Sequence, residues 1–485
     1  MIWTVLLLCY TLILLFVILS NRKRTKREPP LDKGVIPWLG HALEFGKDAA
    51  KFLAQMKEKH GDIFTVRVAG RYVTVLLDPN SYDAVLQNSA SLDFSRYAKV
   101  LMERIFLLRL PQYDPVTERA AMNQHFHGEN LTYLNATMQR NLQTLLTSDI
   151  LQNRMDWKQD GLFRLCYSLL FRAGYLTLFG AGQNSSPDTV YDEFRRFDGL
   201  LTKMARTTLK PEEKREAQLV RERLWNFLTF MGPDQREGPS PWLQSYLKRL
   251  QEEGVDRDTQ RRALLMQLWA TQGNTGPATF WLLGYLLTFP EAMEAVKREF
   301  EGLMPAEGAS EEAFLENLQN TPVFDSALSE ALRLTAAPFI TREVLVNTTL
   351  HMADGQEYDL RQGDRVCLFP YLSPQMDPEI HQEPEKFKYD RFLNTDGTER
   401  KDFFKGGRKM KYYTMPWGAG KNVCVGRHFA ISGIKQFLFM VLTRLDLELC
   451  DPDSEMPVAD ASRYGFGMLQ PAGDLQIRYR LKDPS

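Results

Sequence analysis

At 485 residues the chain is long enough to bury a large core, and 44% hydrophobic with 25% charged residues is the balance of a well-packed globular protein. Lys and Arg number 60 against 61 Asp and Glu, so a formal net charge of −1 leaves no basic footprint and excludes nucleic acid as an expected partner. The five cysteines (Cys9, Cys166, Cys367, Cys424 and Cys450) are scattered, which excludes a disulfide framework or zinc spacing and suits a reducing compartment.

No residue from Met1 to Ser20 is charged, and Ile2–Leu19 is almost unbroken apolar sequence. As a helix such a run rises about 27 Å, close to the hydrocarbon thickness of a bilayer. Arg22, Lys23, Arg24, Lys26 and Arg27 follow at once, the reverse of a cleavable signal peptide, and predict that everything after them stays cytoplasmic. Residues 1–20 are therefore expected to be a single transmembrane anchor, 21–40 a basic and Pro-rich linker, and 41–485 one catalytic domain. On this topology the sequons at Asn130 and Asn347 should carry no glycan.

Two strands are predicted at Ile63–Val68 and Tyr72–Leu77, joined across Gly70-Arg71. The chain then reads as mostly helical to about residue 335, with surface loops at 181–187 and 231–241. The longest helix is expected from Asp258 to Leu287, ending before Pro290 and apolar on most faces in its second half. Short strands alternate with turns from Thr341 to Leu372. An irregular, Pro-rich stretch covers Pro374 to Lys421, a length that is usually functional. A last apolar helix covers Gly426–Leu445.

Chemistry concentrates where that last helix begins. In Trp417-Gly418-Ala419-Gly420-Lys421-Asn422-Val423-Cys424-Val425-Gly426 a cysteine leaves a glycine-rich turn and opens the helix. Free N–H groups and the positive helix end there favour a thiolate. Gly420 and Gly426 permit tight turning and close approach to a flat ligand. Upstream, Glu330 and Arg333 stand at i and i+3 on a helix whose flanks leave little polar face, so a buried pair needs a further partner. Arg391 is the candidate third member.

Together these elements resemble the cytochrome P-450 superfamily, in order and spacing, over essentially all of residues 30–480. The resemblance implies a mainly α fold with small β-sheets and haem b between the long central helix and the Cys-bearing helix. It makes Cys424 the axial thiolate ligand of iron, with Trp417, Gly420, Asn422 and Gly426 around the cofactor. It makes Glu330, Arg333 and Arg391 a structural triad bracing the segment that leads to the cysteine. Thiolate ligation of this class favours O–O cleavage.

The sequence departs from the family pattern at several points. Trp417 stands where most members have Phe, and Asn422 where most have Arg or His. The early Trp-x-x-x-Arg motif for the haem propionates is missing, and Arg104 or Asn123 is the candidate substitute. In the central helix Gly276 and Pro277 occupy the places of the acid and alcohol that relay protons to O₂ in monooxygenases. Pro277 also lacks the N–H that would bond the Gly273 carbonyl, which predicts a kink. Asn274 is then either the polar side chain over the iron or a patch for the freed backbone groups, two compatible roles.

Further segments (Pro37-Trp38-Leu39-Gly40, Leu268–Asn274, Leu334–Glu343 and Ser462–Gly467) resemble an isomerase branch of the family, anchor included. That resemblance implies isomerisation of a lipid endoperoxide, prostaglandin H2 to prostacyclin, in the endoplasmic reticulum membrane, with no O₂, reductase or other obligatory redox partner. It also implies substrate-binding residues: Asn274 over the haem, Thr341 and Arg342 in the pocket wall, Arg365 at a strand start, and Arg104 and Leu110 in the loop before the next helix. For each arginine a salt bridge or a propionate contact is an equal reading. Two other functions stay open at this point, an O₂-dependent sterol hydroxylase of the 7α/12α type and a non-enzymatic haem sensor or carrier.

Overall fold

A computed structural model describes residues 3, 11, 24–110, 114–151, 156–182, 186–229, 236–303 and 311–482. The expected anchor, apart from Trp3 and Thr11, lies outside the described residues.

A six-stranded mixed sheet is built from β1 (Leu31–Asp32), β2 (Ile63–Val68), β3 (Arg71–Leu76), β4 (Leu92–Asp93), β5 (Ile340–Val344) and β6 (Arg365–Leu368), in the order β1-β2-β3-β6-β5-β4. The β2–β3 hairpin turns at Ala69-Gly70, both with positive φ, one residue earlier than the sequence suggests. Gly70 is required twice over: it supplies the left-handed backbone, and a Cβ there would collide with the Trp38 indole. β6 runs parallel to β3 and antiparallel to β5, pairing Arg365 with Glu343 and Val366 with Arg342.

The helices that position the site are α1 (Ser95–Phe106), α2 (Pro115–His125), α3 (Gly128–Leu146), α4 (Leu162–Phe179), α5 (Pro187–Arg206), α6 (Arg257–Gln272), α7 (Thr275–Thr288), α8 (Pro322–Thr335) and α9 (Arg427–Arg444). Their starts are written locally. Asp114 accepts from the amides of Val116 and Thr117 with Pro115 at the first turn, Ser186 accepts from Thr189 ahead of Pro187, and Asp256 accepts from Thr259. α4 is buried on most faces and packs between α3 and α7, which makes it the centre of the main core. Among the described residues it is also the one helix long and apolar enough to cross a membrane; its burial marks it as a core helix.

Three expectations need correction. The single helix over 258–287 is two helices, α6 and α7, separated at Gly273-Asn274. The break follows from Pro277, which cannot donate to the Gly273 carbonyl. The Tyr167 hydroxyl of α4 donates to that oxygen instead, at 3.2 Å. The segments 181–187 and 231–241 are not both free loops, because Ala181–Gly182 pairs antiparallel with Arg236–Glu237. The last helix starts one residue later and ends one earlier than predicted, with Gly426 as its N-cap. The stretch 374–421 is irregular as expected, with a short hairpin at Phe404–Lys405 and Arg408–Lys409.

Candidate active site

The loop before α9 turns through Gly418 and Gly420, both with positive φ, and the Cys424 amide closes it by donating to the Trp417 carbonyl at 2.9 Å. Gly426 has an ordinary φ of −79°, so tight turning is not its reason. A Cβ added there meets nothing within 4 Å, which leaves room for a flat group against the backbone. Cys424 is exposed to a cavity of about 410 Å³ lined also by Arg119, Asn123, His127, Val423, Val425, Arg427 and His428. Protein packed around the sulfur pushes its pKa up, while the Gly426 amide and the Arg119 and Arg427 guanidiniums pull it back. Trp417 packs against the main core, and Asn422 is exposed.

Arg119, His127, Arg427 and His428 escaped the sequence reading, because charged residues on an amphipathic helix look like solvated surface. The i, i+4 placement of Arg119 and Asn123 on α2 was the available signal. Of the two substitutes for the missing motif, Asn123 joins the Cys424 cavity. Arg104 lies on α1, not in a loop, and its Nη1 donates to the Ala205 carbonyl at 3.0 Å.

Glu330, Arg333 and Arg391 meet in the interior. Arg333 donates to both Glu330 oxygens, Nε to Oε2 at 2.7 Å and Nη2 to Oε1 at 2.8 Å. Arg391 Nε reaches the same two oxygens at 2.9 Å. The remaining donors go to backbone carbonyls: Arg333 Nη1 to Gln375, and Arg391 to Gln382, Glu383 and Lys386. One buried carboxylate with two buried guanidiniums is thus nearly saturated with hydrogen bonds. It ties α8 to the irregular stretch that carries the chain to Cys424.

At the break between α6 and α7, a Cβ on Gly276 would land in the Tyr167 ring. The place of the relay acid is filled by that ring. Asn274 uses Oδ1 to accept from the Met468 amide at 3.0 Å, so it ties the break to the C-terminal loop rather than capping the Gly273 carbonyl. Among the described residues its Nδ2 donors have no partner.

The other predicted substrate residues are partly gathered. Arg365 stacks over Tyr97 with its guanidinium 4.8 Å from the ring centroid. Burial raises the Tyr97 hydroxyl, and the charges of Arg365, Arg104 and Arg206 lower it, which groups these arginines around one phenol. Arg342 is buried; its Nη1 donates to the Thr341 carbonyl at 3.0 Å, and it makes no ion pair among the described residues. Burial pulls its pKa down, with Asp93 opposing. Thr341 points its hydroxyl at the Cys367 sulfur, 3.8 Å away. Leu110 is not with them: it lines a separate cavity of about 550 Å³ with Arg109, Glu118 and Arg249 among its walls.

The family model for Cytochrome P450 matches residues 29–477. The chain is 52% identical over 475 residues to the prostacyclin synthase of Homo sapiens, covering 95% of each chain. It is 52% identical over 477 residues to that of Bos taurus, with the same coverage. The 7-alpha-hydroxycholest-4-en-3-one 12-alpha-hydroxylase of Homo sapiens is 45% identical over 472 residues, covering 95% of this chain and 94% of that one. A cysteine-bearing loop at the head of α9, a Glu-Arg-Arg cluster nearly saturated with hydrogen bonds and likeness from end to end lead to one conclusion: the chain belongs to the cytochrome P450 family.

Proposed function

We propose that this protein isomerises the endoperoxide prostaglandin H2 to prostacyclin. The observation that carries the reading is 52% identity to prostacyclin synthases over 95% of the chain, against 45% for the 12-alpha-hydroxylase of Homo sapiens.

The residues fit haem b. Cys424 offers a sulfur to the cavity, Gly426 leaves open space where a side chain would intrude, and Arg119 and Arg427 bring positive charge suited to carboxylates. When bound, the haem iron supplies cleavage of an O–O bond, favoured by a thiolate donor. The overall change balances within the substrate. The O–O bond breaks, one oxygen closes a ring onto a neighbouring double bond, and a proton passes from carbon to the other oxygen. No atom enters or leaves, and no external electron is consumed.

The chain's own part is to hold and orient. Asn274, with its carbonyl committed to Met468, presents only N–H donors and can hydrogen-bond an endoperoxide oxygen without exchanging a proton. Tyr167 in the relay position leaves no acid at 276 to feed protons to O₂. Arg104 and Arg365 offer charge for the fatty carboxylate. An anchor at residues 1–20 would hold residues 21–485 on the cytoplasmic side of the endoplasmic reticulum membrane; recovery in the soluble fraction, or a glycan on Asn130 or Asn347, would contradict that topology.

The test is single: ferric full-length protein is mixed with the endoperoxide, without reductase or NADPH, and the products are weighed by mass spectrometry. Conversion to an isomer of unchanged mass is expected. Silence there, with sterol hydroxylation once reductase and NADPH are supplied, would replace this reading with the hydroxylase.

A further inference from the structure

Asp198 lies on α5, fully buried, in the interior above the broken helix. Its two carboxylate oxygens collect donors from its own helix, from α6 and from the 463–470 loop. Oδ1 accepts from Trp269 Nε1 on α6 at 3.2 Å and from Arg463 Nη2 at 3.1 Å. Oδ2 accepts from Gln470 Nε2 at 2.6 Å and, within its own helix, from Arg195 Nη1 at 3.4 Å. The Asp198 backbone carbonyl accepts a second hydrogen bond from Arg463, from Nη1 at 3.2 Å. Burial pushes this carboxyl up, but Arg463 and Arg195, with Gln470, outweigh it and hold it below its usual range. It is a charged group of the interior, compensated by guanidiniums.

What those donors do next gives the cluster its meaning. Arg463 and Gln470 bracket the loop whose Met468 amide donates to Asn274. Arg195 lies over the Tyr167 ring, 4.6 Å from its centroid, and Tyr167 holds the Gly273 carbonyl. Trp269 stands one turn before the break, its carbonyl accepting from the Gly273 amide. Three of the ties on the 273–274 break therefore lead back to one carboxylate.

We propose that Asp198 is a positioning residue, which sets the place of Asn274 by locking α5, α6 and the 463–470 loop to a common point. The inference rests on the isomerase reading for its kinetic consequence, but its structural consequence stands apart. Loss of the charge should let the loop move relative to the break, so that Asn274 is misplaced while iron ligation at Cys424, in the loop before α9, is untouched. Substrate held by the pocket as a whole should still bind, so the effect belongs in kcat more than in KM.

The experiment uses full-length, haem-loaded protein. Asp198→Asn keeps the shape and removes the charge; Trp269→Phe, which deletes one hydrogen bond, is the milder variant should the first fail to load haem. Turnover of the endoperoxide and amide hydrogen exchange at Met468 are measured in each, alone and combined with Asn274→Ala. Expected are an unchanged Soret band, kcat down about tenfold with KM within about twofold, and faster exchange at Met468. In the Asn274→Ala background the further loss of kcat should vanish, because the residue through which Asp198 acts is gone. Equal fold-losses in both backgrounds, or unaltered exchange at Met468, would overturn the proposal. If the parent protein does not turn over the endoperoxide, the functional reading fails, and Met468 exchange still decides whether Asp198 holds the loop.

Discussion

On the proposed reading Cys424 would hold iron and Asn274 substrate, so their variants should separate. Cys424→Ala is expected to lose both the haem Soret band and endoperoxide turnover. Asn274→Ala should keep the band and slow turnover about tenfold, the loss of roughly one hydrogen bond's worth of stabilisation. His381 tests the interior around the Glu330 cluster. It is buried, its Nε2 lies 2.7 Å from the Tyr413 carbonyl, and burial, with Arg333 and Arg391, drives its pKa from 6.5 to about 3. Between those two values the unfolded chain binds a proton that the native protein refuses, so stability falls as pH drops through that window. His381→Gln should flatten the fall, as measured by urea denaturation at neutral pH and at about pH 4.5. The cysteine was legible because its flanking glycines and the apolar run after it point to one chemistry. Arg119 and His127 were not, since nothing local separates a charge facing a cavity from one facing water.

The break between α6 and α7 is where local sequence met its limit. Pro277 announced a disturbance, but a sequence does not say which distant side chain will satisfy the freed carbonyl. Tyr167 does so from more than a hundred positions away. Tyr167→Phe should orphan the Gly273 oxygen in the interior and cost about 1–3 kcal/mol of stability, measured by chemical denaturation. The β2–β3 hairpin was readable to within one residue because alternation and a glycine fix it. The pairing of Ala181–Gly182 with Arg236–Glu237 was not, since two-residue strands carry no period.

At the scale of the molecule, the Glu330 cluster joins α8 to the long irregular stretch, and its members lie up to 61 positions apart. Glu330→Gln would leave Arg333 and Arg391 buried without a countercharge. A loss of about 3–5 kcal/mol is expected, together with failure to accumulate haem-loaded protein. Thermal melts of the apo and loaded forms would check it. That a helix pair at i, i+3 should be buried followed from its apolar flanks. That Arg391 would complete it was a matter of chemistry, since a carboxylate has more lone pairs than one guanidinium can use.

The contact between Tyr167 and Gly276 also constrains how this chain can change. An acid introduced at 276 would meet the phenol ring, and shrinking that ring would strip the Gly273 oxygen of its donor. Placing an acid at 276 therefore needs a coordinated change at 167 and a new donor for the Gly273 oxygen.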